Sequence, residues 1–220
     1  MLAKLTYFDV RGRAESIRMM LEDAQMSYTE KRIQVEEWPT LKPTFPMHQV
    51  PIYEEGEGSD AVYLFHSAVI RRYLAKKLNY YGKDSSQGWQ CEMVAESVLD
   101  AQNSIGTLMW NPKFTELRSS YEKNTLPPLL EKLQIHKARN KDSDLFWVGN
   151  DITYADFLAW CFLDYVRAFS TATLQEFASL YDFYQSIAKR PNIASYLASE
   201  RRPKTLTVPM APFGGTPETS

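Results

Sequence analysis

The sequence predicts a small α/β domain in residues 1–80, joined by a linker at residues 81–86 to an all-helical domain in residues 87–220. In the first domain, short runs of aromatic and branched residues alternate with helical spacing, in the order βαβ and then ββα. After the linker the strand patterns end, and apolar residues recur every three or four positions. A chain of 220 residues is long enough for two such domains. The predicted fold class is therefore α/β plus all-α.

The first domain has six predicted elements, which form a small sheet with helices packed on it. We expect its strands at residues 4–8, 28–35, 50–53 and 61–64, and its helices at residues 13–24 and 67–78. The first helix is indicated by apolar residues with helical spacing, at Ile17, Met20, Leu21 and Ala24. Ser67 is expected to be the N-cap of the second helix, because a serine hydroxyl accepts a hydrogen bond from the first helical turn.

Five helices are predicted in the second domain, at residues 87–110, 121–136, 153–169, 174–189 and 191–200. Pro127 and Pro128 should bend or break the second of these helices, because proline lacks the amide proton that a helix interior uses. Thr153 and Asp156 have the spacing of a capping box, which would fix the start of the third helix. The tail from Arg201 is rich in proline and is expected to be irregular.

Composition and charge argue against several classes of protein. The net charge of −2 gives no support to nucleic-acid binding through a basic face. The N-terminus lacks the apolar stretch of a signal peptide, and no apolar run is long enough to span a bilayer. The histidines (His48, His66 and His136) and the cysteines (Cys91 and Cys161) have no metal-ligand spacing. We therefore expect a cytoplasmic protein without a metal, nucleic-acid or membrane partner, whose thiols are reduced and buried.

Several short motifs, each weak by itself, follow one another along the chain. They are TYF at residues 6–8, VRGRAE at 10–15, Trp38, Lys42, QVP at 49–51, HS at 66–67 and GNDITYAD at 149–156. Together they make residues 4–203 resemble the cytosolic glutathione transferases of the tyrosine type, with features of the sigma and pi classes. The resemblance implies a thioredoxin-like N-terminal domain that binds glutathione, and a helical domain that supplies most of the pocket for the second substrate.

By this resemblance, Tyr7 activates the thiol of glutathione for attack on an electrophilic carbon. The nucleophile is the thiolate, whereas a free thiol has a pKa of about 8.5. A hydrogen bond donated by Tyr7 to the sulfur anion would favour the charged form. Lowering the thiol pKa by ~2 requires about 2.7 kcal/mol, which one charge-assisted hydrogen bond and one nearby positive group can supply. Arg13 and the N-terminal end of the helix beside it are the expected sources of that positive charge.

The resemblance also implies which residues hold glutathione, the co-substrate, and it implies no tightly bound cofactor. These residues are Phe8, Trp38, Lys42, Gln49, Val50, Pro51, His66, Ser67 and Asp100. Val50 and Pro51 match a cis-proline turn whose backbone pairs with the cysteinyl part of glutathione. Ser67 matches the residue that binds the γ-glutamyl carboxylate at a helix N-terminus. Asp100 matches an acid that reaches the glutathione of a neighbouring subunit, so the resemblance implies a homodimer.

The second substrate is expected to be a small hydrophobic electrophile, held in an apolar pocket between the first loop and the long helix. The candidate pocket residues are Phe8, Val10, Ile105, Met109, Trp110 and Phe213.

Two positions depart from the family pattern. His66 stands where the family usually has glutamine, and because histidine can become charged near neutral pH, we expect weaker or pH-dependent binding of glutathione. Met47 stands near the position where the pi class carries an aromatic side chain that inserts into the partner subunit. Methionine fills such a pocket less specifically, which puts the pi-like form of the dimer contact in question.

The motifs leave three functions open. The first is a transferase that conjugates glutathione to hydrophobic electrophiles. The second is a glutathione-dependent isomerase, such as a prostaglandin D synthase. The third is a non-catalytic carrier of hydrophobic ligands or a structural protein of the crystallin kind. The presence of the complete set of thiol-site residues favours an enzyme, because a structural protein would not need them together.

Overall fold

The computed structural model describes residues 2–220 and contains an α/β unit followed by a helical unit. The strands are β1 (Ala3–Phe8), β2 (Tyr28–Ile33), β3 (Ile52–Glu55) and β4 (Val62–Phe65). The helices of the first unit are α1 (Glu15–Asp23), α2 (Trp38–Leu41) and α3 (Ser67–Lys77). The helices of the second unit are α4 (Ser85–Met109), α5 (Phe114–Ser120), α6 (Leu126–Lys137), α7 (Tyr154–Phe169), α8 (Thr171–Glu176), α9 (Ala178–Ala188) and α10 (Pro191–Leu197).

The four strands form one sheet in the order β2-β1-β3-β4. β1 runs parallel to β2, whereas β3 runs antiparallel to both β1 and β4. A parallel pair needs a crossover connection, which α1 provides. Leu5 of β1 lies opposite Tyr53 of β3, and both are fully buried. The thioredoxin-like arrangement is confirmed, and its inner strand β1 carries Tyr7 close to its C-terminal end.

The start of α3 differs from the prediction. His66, rather than Ser67, precedes the helix, and its side chain caps none of the helical amides. Ser67 is itself the first helical residue. The N-cap prediction for Ser67 is wrong because the chain enters α3 from a left-handed residue, with φ of 68° at His66, instead of from the extended conformation typical of an N-cap serine.

Two helices of the second unit also differ from the prediction. The segment predicted as one helix over residues 121–136 consists of a π-helical turn (Tyr121–Thr125) that continues α5, followed by α6. Pro127 and Pro128 lie in the first turn of α6, where the missing amide proton would have no intrahelical partner. The predicted helix over residues 174–189 is two helices, because the backbone of Phe177 (φ −101°, ψ 70°) separates α8 from α9.

The start of α4 also lies earlier than predicted. The carboxylate of Asp84 accepts a hydrogen bond from the amide of Gln87, so the helix begins at Ser85 rather than at residue 87.

The helix α7 forms the centre of the second unit. Its residues 154–166 are all buried, so it is surrounded on every side by other elements. The predicted capping box is confirmed at its start, where the Asp156 carboxylate accepts hydrogen bonds from the amide and the hydroxyl of Thr153, both at 2.7 Å. The same carboxylate also accepts from the amide of Trp147 at 3.0 Å. Asp156 thus fixes both the helix and the loop before it.

The irregular tail packs back onto the first unit. The amides of Arg11 and Gly12, in the loop after β1, donate to the carbonyls of Thr205 and Leu206 at 2.9 Å. Leu206 is fully buried, so this contact is anchored in the core. The tail is therefore irregular, as predicted, but it also positions the loop after β1. Within residues 2–220, none of the helices combines the length and the apolar character that a bilayer span requires.

We predict that Asp156→Ala lowers the free energy of unfolding by about 3 kcal/mol, because it leaves two buried amides and a hydroxyl without an acceptor. Urea unfolding followed by circular dichroism measures the change. Asp151→Ala is the matched control, because that carboxylate is exposed and contacts only Lys83. Equal effects of the two substitutions would contradict the assigned role of Asp156.

Candidate active site

A cavity of about 740 Å³ lies where the loop after β1, the start of α3 and the long helix α4 meet. It is open to solvent on the α4 side, where Asp100 and Trp110 are exposed. The lining includes Tyr7, Gly12, Arg13, Ser67, Arg71, Asp100, Trp110, Tyr165 and Thr207. A second cavity of about 850 Å³ lies at α6 and contains none of the candidate thiol-site residues.

The hydroxyl group of Tyr7 is placed to donate a hydrogen bond into this cavity. Tyr7 is only 8% exposed, and its oxygen accepts a hydrogen bond from the backbone amide of Arg13 at 3.1 Å. Within residues 2–220 the hydroxyl makes this one hydrogen bond, in which it is the acceptor and uses only an oxygen lone pair. The hydroxyl proton therefore stays available for an acceptor in the cavity.

The pKa of Tyr7 lies above the usual value for tyrosine. Burial raises it, and this effect outweighs the opposing effects of the Arg13 amide and of the Arg18 and Arg13 charges. The guanidinium of Arg18 lies 5.9 Å from the centre of the Tyr7 ring. Tyr7 is thus protonated at neutral pH, and it can act as a hydrogen-bond donor but not as a base.

Gly12 allows the Tyr7 ring to lie against the backbone. A Cβ at this position would lie 2.6 Å from the Tyr7 oxygen and 2.8 Å from a ring carbon, closer than atoms pack. Gly12 also has φ of 44°, in the left-handed region that disfavours other residues. The glycine in the VRGRAE motif is therefore required both by the turn and by the tyrosine.

Of the residues predicted to hold the glycyl end of glutathione, Trp38 lies beside the end of β1. The Trp38 ring packs edge-on against Phe8, with 5.0 Å between ring centres, and it stacks on Phe45 at 6.1 Å. Lys42 is exposed, and Gln49 is partly exposed. Phe8, Trp38 and Phe45 thus form an aromatic wall beside the end of β1.

The residues predicted to hold the rest of glutathione lie just before β3, at the start of α3 and on α4. The Val50–Pro51 peptide bond is cis. Ser67 lies at the first residue of α3 and lines the cavity, where it is joined by Asp100 of α4. The His66 ring contacts the Gln49 side-chain amide at 3.4 Å. His66 therefore belongs to the edge of this candidate site and not to the cavity.

The residues predicted to line the electrophile pocket are divided between the cavity and the core. Trp110 lines the cavity, whereas Phe8 packs against Trp38. The other four are buried in the hydrophobic core and do not line the cavity: Val10, Ile105, Met109 and Phe213. Residues of α4 one position away from the buried stripe, such as Gly106, line the cavity instead. The apolar spacing of α4 therefore marks the face that packs inward on α7.

The sequence reasoning missed most of the other lining residues, among them Arg71, Tyr165 and Thr207. Arg71 lies four positions after Ser67 on α3, and this spacing alone could have placed it on the same face. Tyr165 comes from the middle of α7, and Thr207 comes from the tail. No local pattern identifies these two, because they reach the cavity only through the packing of distant segments.

The cysteines take no part in this site. Cys91 and Cys161 are both buried, as predicted, and burial raises the pKa of each thiol. A thiol that stays protonated is a poor nucleophile and a poor metal ligand. Within residues 2–220, no group of three or more histidine, cysteine or carboxylate side chains has the arrangement of a metal site.

The architecture defines the class of the protein first: a thioredoxin-like domain and a helical domain enclose a cavity that contains a buried, protonated tyrosine. A family model described as "Glutathione S-transferase, N-terminal domain" matches residues 3–76, and one described as "Glutathione S-transferase, C-terminal domain" matches residues 99–200. The chain belongs to the glutathione S-transferase family.

Individual relatives agree with this result. The chain is 28% identical to a glutathione S-transferase of Dirofilaria immitis, over 91% of this chain and 94% of the relative. Its fold is similar to that of the pi-class enzyme of Onchocerca volvulus, with a TM-score of 0.86 and 26% identity over 96% of this chain and all of the other. It is also similar to the sigma-class enzyme of Fasciola hepatica, with a TM-score of 0.84 and 26% identity over 93% and 98% of the two chains.

We predict that Gly12→Ala destabilises the protein by about 2 kcal/mol more than Gly58→Ala does. Both glycines have a positive φ, but a Cβ at Gly58 meets no atom within 4 Å. The difference between the two variants therefore measures the collision with Tyr7. Urea unfolding provides both values, and equal destabilisation would show that the Tyr7 ring does not need the glycine.

We also predict that the Tyr7 hydroxyl stays protonated up to pH 10, since burial holds its pKa above that value. The difference in tyrosinate absorbance between wild type and Tyr7→Phe, recorded across pH, isolates this residue from the other tyrosines. A tyrosinate signal from Tyr7 below pH 9 would contradict the assignment of Tyr7 as a neutral donor.

Proposed function

We propose that the protein conjugates glutathione to small hydrophobic electrophiles and that Tyr7 activates the thiol. The observation that carries this proposal is the free hydroxyl proton of Tyr7, which faces a cavity and belongs to a side chain that stays neutral. A neutral donor stabilises the thiolate without taking up its proton. The Arg13 amide supports this role, because a tyrosine oxygen that accepts a hydrogen bond becomes a stronger donor.

In the proposed reaction, the thiol proton of glutathione leaves to solvent and the thiolate accepts the Tyr7 hydrogen bond. The sulfur lone pair then forms a bond to the electrophilic carbon, and the bond from that carbon to its leaving group breaks with its electron pair. For an aryl halide the products are the thioether and the halide ion. The guanidinium groups of Arg13 and Arg18 add positive potential at Tyr7, which favours the anionic sulfur.

The proposed place of glutathione extends from Trp38 to Ser67. Lys42 supplies a cation for the glycyl carboxylate, and the Val50 backbone supplies partners for the cysteinyl group. The first turn of α3, with the Ser67 hydroxyl, supplies donors for the γ-glutamyl carboxylate. This arrangement would place the thiol at the end of β1, beside Tyr7.

We further propose a homodimer. Val69 on α3, and Trp89 and Met93 on α4, are large apolar side chains that are exposed. The two helices lie side by side, since Arg72 of α3 forms an ion pair with Glu92 of α4. Family membership and this exposed apolar surface together support a partner subunit here, with Asp100 reaching the partner's glutathione.

We predict that Tyr7→Phe reduces kcat/KM for glutathione and 1-chloro-2,4-dinitrobenzene by about 100-fold at neutral pH, because the loss of the hydrogen bond raises the pKa of the bound thiol by ~2. The pKa read from the pH–rate profile should rise by the same amount, and the Kd of S-hexylglutathione should stay within about twofold of the wild-type value. Tyr181→Phe is the matched control, because that hydroxyl lies on α9 and contacts only Gln175.

The outcomes separate the candidate functions. Loss of rate with an unchanged thiol pKa would remove Tyr7 from the role of activator. Binding of S-hexylglutathione without turnover of this substrate by wild type would favour the isomerase or carrier alternatives. Analysis of the products formed from a prostaglandin endoperoxide would then distinguish these two.

A further inference from the structure

Arg71 is a buried arginine without a protein counter-ion. Three arginines of the described chain are buried, and two of them have carboxylate partners: Arg11 pairs with Asp164, and Arg18 pairs with Glu15. Arg71 is 3% exposed, and its side chain forms no hydrogen bond or ion pair with any group in residues 2–220. A buried charge is costly unless a counter-ion or hydrogen bonds compensate it. The position of Arg71 therefore calls for a partner from outside the chain.

The location of Arg71 indicates where that partner binds. Arg71 lines the cavity that contains Tyr7, on the same face of α3 as Ser67. The buried residues of this lining are Tyr7, Arg71 and Tyr165. Tyr165 donates its hydroxyl to the carbonyl of Leu206 at 3.2 Å, so it is already satisfied. A ligand group at Arg71 would thus lie deep in the cavity, close to the proposed reaction centre.

The charges around Arg71 leave it free to bind an anion. The other ionisable side chains of the lining, apart from the tyrosines, are Arg13, Glu96 and Asp100. Glu96 is exposed and pairs with Arg72 at 2.9 Å, and Asp100 is exposed at the mouth. Burial lowers the pKa of Arg71 to about 10, which still leaves the guanidinium positively charged at neutral pH. The buried end of the cavity is therefore cationic, whereas the acidic groups face solvent.

We propose that Arg71 binds a carboxylate group of a ligand in this cavity. A guanidinium matches a carboxylate because two parallel N–H groups can donate to its two oxygens. This inference rests on the proposed function, which supplies two sources of the carboxylate. One source is an anionic second substrate, and the other is the γ-glutamyl end of glutathione at the start of α3.

The first experimental arm compares 4-chloro-3,5-dinitrobenzoate with its methyl ester, which has the same reacting ring but no negative charge. If the carboxylate of the second substrate binds Arg71, Arg71→Leu lowers kcat/KM for the benzoate by about 10- to 100-fold, the effect of losing one charged hydrogen-bonded pair. The ester should change by less than about threefold. Arg71→Lys keeps the charge but loses the two parallel N–H groups, so its preference for the benzoate over the ester should lie between those of wild type and Arg71→Leu.

The second arm uses glutathione and the analogue that lacks the α-carboxylate of the γ-glutamyl group. If this carboxylate binds Arg71, Arg71→Leu raises the Kd of glutathione by about 10-fold or more, and the Kd of the analogue stays unchanged. Isothermal titration calorimetry measures both values without turnover. Arg139→Leu is the control in both arms, because Arg139 is exposed in the turn just after α6 and lies outside this cavity.

Calorimetry with 4-nitrobenzoate and 4-nitrobenzamide separates this inference from the proposed function. Stronger binding of the benzoate that disappears in Arg71→Leu supports the site even if no conjugation occurs. Arg71→Leu should fold at least as well as wild type, because it removes an uncompensated charge, and thermal unfolding checks this. If that variant does not fold, Arg71→Lys carries the test. The proposal is overturned if Arg71→Leu leaves all three preferences unchanged: for the dinitrobenzoate over its ester, for glutathione over the analogue, and for 4-nitrobenzoate over 4-nitrobenzamide.

Discussion

The ionic cluster between the two units is the interaction on which the active-site geometry depends. The Arg11 guanidinium donates to Asp164 of α7 at 3.1 Å and to the carbonyl of Pro203 in the tail. Arg202 joins the same carboxylate to Glu15 of α1, at 2.6 Å and 3.0 Å. Burial opposes ionisation of Asp164, but the Arg202 and Arg11 charges outweigh it and hold its pKa below the usual value. Such pairs add little net stability, but they fix the positions of the groups that they join.

The cluster determines where the Arg13 amide lies, and so it acts on Tyr7. Arg18 stabilises the loop after β1 from its buried side, through hydrogen bonds to the carbonyls of Val10 and Arg11 at 2.9 Å and 3.2 Å. Arg13 follows Arg11 in this loop, and its backbone amide donates to the Tyr7 oxygen at 3.1 Å. The proposed hydrogen-bond donor Tyr7 therefore lies beside a loop that is held by charges from both units. Separating the units would remove the cavity and also the orientation of the tyrosine.

The same architecture explains why Arg71 differs from the other buried arginines. Arg11 and Arg18 take part in the closed ionic cluster, where every charge has a partner within the chain. Arg71 lines the cavity that contains Tyr7, where the proposed ligand would supply the carboxylate that the protein does not. Arg11 and Arg18 thus stabilise the loop after β1, whereas Arg71 is available to bind a ligand.

The sequence by itself determined the order of the strands and the two main helices of the first unit, the capping box at Asp156 and the position of Tyr7 in the first strand. These features depend on residues that are neighbours in the chain, so short patterns predict them. The family motifs likewise marked the residues along the proposed glutathione site. Sequence patterns did not separate Ile105, which lies in the core, from Gly106, which lines the cavity.

Only the tertiary structure decided the composition of the cavity and the ionic cluster. Helical spacing shows which face of α4 turns inward, but whether that face meets packed side chains or an open cavity depends on α7 and on the tail. Arg11 and Asp164 are 153 positions apart, and no local pattern pairs charges at that separation. The pairing follows from burial, because a charge removed from water must find its partner among the groups that folding brings beside it.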